Sequence, residues 1–200
     1  AVMSGHAVFT IGGEEVDAPA GTLVFVRDPA LLRAARATVD GTAILAVDNG
    51  IWSGAANITA GALRITNSGA LGLNGGTAAL GLTTVTQTGA ALQLANNVNT
   101  FEQTNITGTG INTGGAIQSL SGNNILNGLI TLGGATAIGA DAGTLTIRGG
   151  ITGAQTLTIA GAGNITIDTT AIGAIGAVTK IGSGTTTLGV ASNAFVSAIN

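Results

Sequence analysis

The strongest constraint on this fold is a series of short segments after Asp48 in which apolar and polar residues alternate. Examples are residues 63–66, 144–147, 156–159, 164–167 and 186–188. Alternation with a period of two directs the apolar side chains to one face of a β-strand. Each segment is too short to bury a core alone, so its apolar face must be covered by other such segments. Residues 49–200 are therefore expected to form stacked β-structure.

The composition of the chain favours a β-solenoid over an antiparallel sandwich. Glycine accounts for 34 of the 200 residues, more than twice the average of about 7%, and it tolerates the positive φ of tight turns. Hydrophobic residues make up 45% of the chain but aromatic residues only 2%. A sandwich normally has clear faces of large side chains, whereas small aliphatic residues can fill the narrow interior of a solenoid.

Charge, cysteine content and hydropathy exclude several functional classes. The net charge is −3 and the six Lys and Arg residues are scattered, so there is no basic footprint for a nucleic acid. The chain has no cysteine, which excludes disulfides and thiolate metal sites. A transmembrane helix needs about 18 consecutive apolar residues, and no such run occurs. We therefore expect that this segment does not span a membrane.

The composition changes abruptly near Asp48. Residues 1–48 carry nine of the fifteen charged side chains, both prolines, the only histidine and the only methionine. Proline is absent from residues 49–200, as expected where most backbone N–H groups enter a ladder. The sequence therefore predicts two units, a short N-terminal β segment over 1–48 and a solenoid over 49–200.

The N-terminal unit has the pattern of antiparallel β-structure. Four strands are expected, at residues 7–11, 14–16, 22–26 and 42–47. Gly12-Gly13 predicts the hairpin turn between the first two strands. The segment 30–37 has helical propensity over at most two turns, and Asp40-Gly41 predicts a turn before the last strand.

Residues 4–14 and 19–26 resemble the middle and second half of a cupin domain. Gly5 and Gly21 match the glycines that close the first cupin motif and open the second. The resemblance implies that the His and Glu ligands of the first motif would precede Ala1. In the second motif Arg27, Pro29 and Leu32 stand where the family has Pro, Gly and a metal-binding His. The resemblance covers about a quarter of the chain and carries over no metal site.

The last part of the chain resembles the autotransporter-associated β-strand repeat of bacterial surface passengers. Residues 179–188, with 193–195, follow that family's Lys-x-Gly-x-Gly-Thr-Leu-x-Leu…Asn-x-Tyr/Phe pattern, except for Thr186 at the first Leu. The resemblance is clear over 125–200 and compositional over 49–124. It implies an all-β fold, a right-handed parallel β-helix, on a secreted protein at the bacterial cell surface. A host-surface or extracellular-matrix ligand would then be the expected partner.

Few residues offer catalytic chemistry. His6, with Ser4 and Asp17 nearby, could form a nucleophile–base pair, but a histidine on an edge strand is usually solvent-facing. Glycosidases need two carboxyl groups about 5–9.5 Å apart, and the solenoid region offers only Glu102, Asp141 and Asp168, far apart in sequence. The motif around Asp141 has no tandem partner of the kind that calcium-binding repeats need, so Asp141 is interpreted as a turn residue. We expect no catalytic site, no cofactor and no metal.

Several polar patterns allow two interpretations. Thr144/Thr146 and Thr156/Thr158 would resemble an ice-binding surface if they stacked on one flat face, or they reflect the strand propensity of threonine. The sequons at Asn57, Asn105 and Asn164 are explained most simply by strand alternation. The asparagines of the turns could stack their amides or adopt left-handed turn conformations; they are Asn96, Asn97, Asn123, Asn124 and Asn127.

The sequence favours a non-enzymatic structural or adhesive segment of a secreted bacterial surface protein. The alternative is a small-molecule-binding or degenerate cupin domain with a glycine-rich tail. A third possibility concerns residues 1–48 alone, which would either cap the solenoid or be an unrelated fusion. Nothing in the sequence indicates an oligomeric state.

Overall fold

The computed structural model describes residues 2–19, 32–45, 55–72, 82–168, 170 and 172–189, and the regular secondary structure of this part of the chain is almost entirely β-strand. One 3₁₀ turn spans Ile111–Thr113. The strands are β1 Val2–Ile11, β2 Glu14–Pro19, β3 Leu32–Leu45, β4 Ala56–Ile58, β5 Gly61–Ile65, β6 Leu82–Val85, β7 Ala90–Ala95, β8 Asn99–Thr100, β9 Gln103–Gly108, β10 Ile117–Ser121, β11 Asn123–Leu126, β12 Ile130–Ala140, β13 Thr144–Ile147, β14 Ile151–Thr152, β15 Leu157–Ala160, β16 Asn164–Ile167, β17 Val178–Lys180 and β18 Thr186–Leu188.

The N-terminal strands are antiparallel, as predicted. β1 pairs with β2 through the Gly12-Gly13 turn, where φ is 60° and 92°, values suited to a tight hairpin. β1 also pairs antiparallel with β3. The predicted strand 22–26, Gly21, Arg27, Pro29 and the boundary at Asp48 lie outside the described residues.

The predicted helix and turn within residues 30–45 are wrong for the described part of that segment. Residues 32–45 form one strand, β3. Alanine-rich helix propensity is a weak preference, and here pairing with β1 on one side and β5 on the other overrides it. The register shifts between the pairs His6–Thr38 and Ser4–Thr42, so Asp40-Gly41 lies in a bulge instead of a turn.

Beyond β3 the strands pair in parallel and form three ladders. The first ladder contains β4, β6, β9, the start of β12, and β14. The second contains β3, β5, β7, β10, the end of β12, β15 and β17. The third contains β8, β11, β13, β16 and β18. The chain visits them in that order, and we call one visit to all three, such as β9, β10 and β11, a tier.

The register of the second ladder becomes regular toward the C-terminus. Leu63 pairs with Leu92 and Leu92 with Ile117, offsets of 29 and 25 residues. From there Ile117 pairs with Ile138, Ile138 with Ile159, and Ile159 with Lys180, each with an offset of 21 residues. The tiers therefore differ in loop length while their strands stay aligned.

The core consists of the inward-facing aliphatic residues of the three ladders. In the second ladder the buried column is Leu63, Leu92, Ile117, Ile138 and Ile159. In the third ladder it includes Leu126, Ile147 and Ile167. Burying one such side chain contributes about 1.5–3 kcal/mol. In both of these columns the stacked residues are Leu or Ile, so alternation along each strand supplies the aliphatic side chains that the core needs.

Glycine at the turns allows successive tiers to approach closely. Gly161 has φ 103° and Gly143 has φ 69°. A Cβ added at Gly161 would overlap the carbonyl oxygen of Ala140, and one at Gly143 would overlap that of Gly122. The high glycine content thus serves the contact between tiers as well as the turns themselves.

This contact can be tested with two alanine substitutions that share a positive φ. Gly89 has φ 85°, and a Cβ there would meet nothing within 4 Å. Both Gly89→Ala and Gly161→Ala should be destabilising because of backbone strain. Gly161→Ala should lower the free energy of unfolding by about 1–2 kcal/mol more, because its Cβ would overlap Ala140 of the preceding tier. Equal losses in urea unfolding would contradict the proposed contact.

Among the described residues no helix combines the length and the apolar character needed to cross a membrane.

Candidate functional site

The residues with catalytic potential in the N-terminal unit lie near the edge of a sheet. His6 in β1 has Pro19 and Thr38 as its backbone partners, and Asp17 is opposite Val8. Asp17 is exposed on β2, which is the end strand of the large sheet. This position is open to solvent and offers no enclosed site around the carboxylate of Asp17.

The three carboxyl groups of the parallel region do not form a catalytic pair. Asp141 follows β12 at the corner between the second and third ladders, whereas Glu102 and Asp168 lie at the corner before the first ladder. Glu102 and Asp168 are three tiers apart, which corresponds to about 14 Å at the usual strand spacing. This exceeds the about 9.5 Å that glycosidase carboxylates tolerate.

Asp141 and Asp168 have structural partners instead. Asp141 Oδ2 accepts a hydrogen bond from Gln118 Nε2 at 2.9 Å. Asp168 Oδ1 lies 3.3 Å from Arg148 Nε, and both side chains are more than a third exposed. An exposed pair of this kind contributes about 0–1 kcal/mol. Asp141 lies in a bend between strands, so its interpretation as a turn residue is confirmed.

The most organised polar group is a chain of side chains along the second ladder, which we call the amide ladder. Arg64 Nη2 donates to Gln93 Oε1 at 2.9 Å. Gln93 Nε2 donates to Gln118 Oε1 at 2.9 Å, and Gln118 Nε2 donates to Asp141. The ladder begins with a guanidinium, which only donates, and ends with a carboxylate, which only accepts. Every link is satisfied, so the ladder ties tiers together and leaves no reactive group free.

Replacing Gln93 by leucine should break the amide ladder at its most buried member, which is 6% exposed. We expect the free energy of unfolding to fall by about 1–3 kcal/mol, because Arg64 and Gln118 each lose a partner. Gln87→Leu changes an exposed glutamine on the preceding turn and should stay within about 0.5 kcal/mol. Equal effects of the two substitutions on chemical denaturation would show that the amide ladder adds no stability.

The turn asparagines combine both predicted roles. Asn96 and Asn97 have φ 72° and 61°, so they are left-handed turn residues. Asn127 Nδ2 donates to Asn99 Oδ1 at 2.6 Å across one tier, which is an amide pair. Asn124 is buried and accepts from the backbone N–H of Val98 at 2.8 Å.

The outward side of the third ladder is an uncharged surface that we call the threonine face. It consists of Asn123, Ile125, Thr144, Thr146, Asn164, Thr166, Thr185 and Thr187, aligned by the register of β11, β13, β16 and β18. These residues are exposed or half-buried. Thr158 instead lies in the second ladder, opposite Ala137 and Thr179. The two threonine pairs therefore do not share one face, so the condition for an ice-binding surface is not met, and the alternative interpretation from strand propensity remains.

The sequons follow strand alternation, as predicted. Asn57, Asn105 and Asn164 point outward, and the isoleucine that follows each of them is buried.

Glu102 is the buried carboxyl group that sequence reasoning missed. It is 8% exposed, and Thr83 Oγ1 donates to its Oε1 at 2.9 Å. Burial raises the pKa of Glu102 to about 7, although hydrogen bonds from the Thr83 hydroxyl and backbone N–H act in the opposite direction. The available signal was the alternation of residues 99–106, which places Glu102 on the same face as Ile106.

The described residues contain no group of three or more His, Cys, Asp or Glu side chains placed to hold a metal ion. In the described parallel region the carboxyl groups of Glu102, Asp141 and Asp168 lie on different tiers or at different corners. Comparison of the chain with protein-family models, with curated proteins and with solved structures found no match.

Proposed function

We propose that residues 55–189 form a right-handed parallel β-helix that serves as a structural or adhesive segment of a secreted bacterial surface protein. The observation that carries this proposal is the parallel register: strands of all three ladders pair with the next tier, and from residue 117 onward pairs such as Ile117–Ile138, Asn123–Thr144 and Ile130–Ile151 have an offset of 21 residues. The right hand follows from the strong preference of parallel crossover connections. The resemblance of residues 179–188 to autotransporter passengers supports the surface location.

The chemistry of the surface favours a scaffold or binding role over catalysis. The threonine face is neutral and is built on regular strands, which hold side chains in fixed positions. In the parallel region Glu102 and Asp168 lie too far apart for general acid–base work on one bond, and the amide ladder uses its polar groups internally. A neutral, hydrogen-bonding face suits a polar, uncharged ligand such as a host-surface or matrix glycan.

We further propose that the N-terminal strands cap the stack. β3 continues the second ladder in parallel with β5, whereas β1 and β2 are antiparallel to it. β2 is the end strand of this sheet and exposes Glu14, Glu15 and Asp17. Charged residues on an edge strand discourage pairing with another chain, and solenoids need such polar end caps.

The β-helix is tested by removing one tier in phase. Deleting residues 145–164 joins Thr144 to Ile165, which takes the place of Leu145 because Leu145 and Ile165 are partners in the third ladder. Since tiers contribute nearly additively, this variant should keep its β circular dichroism and a cooperative thermal transition. The control removes residues 145–154, which shifts the phase by about half a tier. Loss of cooperative unfolding in both deletions would contradict the β-helix.

The location and adhesive role are tested on cells of the source organism. Protease added to intact cells should cleave the protein, as seen by loss of the full-length band on a blot with an antibody against this chain. Full protection from the protease would contradict surface display.

The adhesive role is tested with beads that carry the chain and are incubated with cultured cells or matrix. The double variant Thr146→Lys/Thr166→Lys should reduce binding, whereas Thr158→Lys on the second ladder should not. Binding unaffected by the double variant would exclude the threonine face.

A further inference from the structure

The interior of the first ladder changes character between tiers. One inward column runs through Ala56, Thr83, Thr104, Ile130 and Ile151, which are successive backbone partners. All five are at most 1% exposed. The two threonines have a smaller, partly polar side chain where the later tiers have isoleucine. This part of the core is therefore less completely filled by apolar atoms than the tiers that follow.

The carboxyl group of Glu102 enters the core beside these threonines. Thr83 donates to it from its hydroxyl, with an oxygen–oxygen distance of 2.9 Å, and also from its backbone N–H. The backbone N–H of Glu102 donates to Thr100 Oγ1 at 3.2 Å. A carboxyl group offers about four acceptor positions, and Thr83 uses at most two of them, so the carboxyl group of Glu102 can accept further hydrogen bonds.

The hydroxyl group of Thr104 is orphaned in the same place. Thr104 is 1% exposed, and its Oγ1 has no hydrogen-bond partner. Its backbone partner is Thr83, the donor to Glu102, so Thr104 and Thr83 are neighbours on adjacent strands of the first ladder, about 4.8 Å apart across the ladder. A buried hydroxyl without a partner is destabilising by about 1–3 kcal/mol, and native proteins usually satisfy such groups with internal water.

We propose that Thr83, Glu102 and Thr104 form an internal site for one water molecule. The water accepts the hydroxyl proton of Thr104 and donates to the carboxyl group of Glu102, and its second proton is available to Thr83 Oγ1. Two to four polar partners are what a buried water requires. The site lies inside the stack and is independent of the proposed adhesive role.

Thr104→Val is the first test, because valine keeps the shape of threonine and removes the hydroxyl. If water bridges Thr104 to Glu102, the variant loses that bridge, and its melting temperature should fall by about 2–4 °C. The midpoint of the Glu102 carboxyl titration, followed by ¹³C NMR, should also rise, because the carboxylate loses a donor. Thr84→Val, on the outward side of the same strand pair, should change neither quantity.

The opposite result would overturn the proposal. If the Thr104 hydroxyl has no partner in solution, removing it should raise the melting temperature and leave the titration of Glu102 unchanged.

A high-resolution crystal structure of the unaltered chain gives a readout that does not depend on any variant folding. It should contain a density peak within hydrogen-bond distance of both Thr104 Oγ1 and Glu102. Absence of that peak, or a peak with the short, numerous oxygen contacts of a metal ion, would exclude a water site.

Discussion

Replacing Ile147 by alanine is expected to lower the free energy of unfolding by about 2–5 kcal/mol. Ile147 is fully buried in β13 and is stacked between Leu126 and Ile167 in the third ladder. Both neighbouring tiers lose contacts, and a strand held in a parallel ladder can move little to close the cavity. Urea unfolding monitored by circular dichroism measures the loss.

Thr146→Ala is the matched control for Ile147→Ala. Thr146 is the adjacent residue of the same strand and lies half-buried on the threonine face. Its truncation should change the unfolding free energy by no more than about 0.5 kcal/mol. Similar losses at both positions would show that Ile147 does not face the interior of the third ladder.

Glu102→Gln is expected to remove most of a stability loss that the chain suffers as pH rises. The folded-state pKa of Glu102 is raised from 4.5 to about 7, so below pH 4.5 its carboxyl group is protonated in both states. Between those values the unfolded chain releases the proton while the folded chain retains it. The free energy of unfolding should therefore fall by about 3 kcal/mol in total across this range and stay low above it.

The measurement compares urea unfolding at pH 4.5 and pH 8 in the two proteins. Glutamine keeps the acceptor for Thr83 and does not ionise, so the difference between the two pH values should shrink by about 3 kcal/mol. Glu14→Gln, at an exposed position of β2, serves as a control for the loss of one carboxyl group at the surface. An unchanged pH dependence in Glu102→Gln would mean that burial does not raise the pKa of Glu102 in the folded protein.

The local structure of the parallel region was largely predictable. Segments such as 144–147 and 164–167 were expected to be strands, and both are, with their isoleucine and leucine side chains buried. The Gly12-Gly13 hairpin was also predictable, because the two glycines and the flanking alternation leave few other conformations. The error over residues 32–45 came from helix propensity, which depends on the segment alone, whereas β3 is held by strands on both sides.

The candidate sites were much less predictable. Thr144/Thr146 and Thr156/Thr158 have the same local pattern, yet they belong to different ladders. The amide ladder joins Arg64 to Asp141 through residues 29, 25 and 23 positions apart, and no local pattern links such distant side chains. In the sequence Glu102 is an isolated charged residue. Its contact with Thr83 exists only because the strand that contains Thr83 pairs with the strand that follows Glu102.

Alternation and glycine content by themselves determined that this chain is β-structure with closely spaced turns and a core of modest aliphatic side chains. A period of two assigns each side chain to one face of its strand, and that assignment needs no knowledge of the partner strand. The tertiary structure alone decided which strands are partners, because pairing depends on loop lengths that vary from tier to tier. A one-residue change of register exchanges the two faces, so the amide ladder, the threonine face and the burial of Glu102 all depend on that pairing.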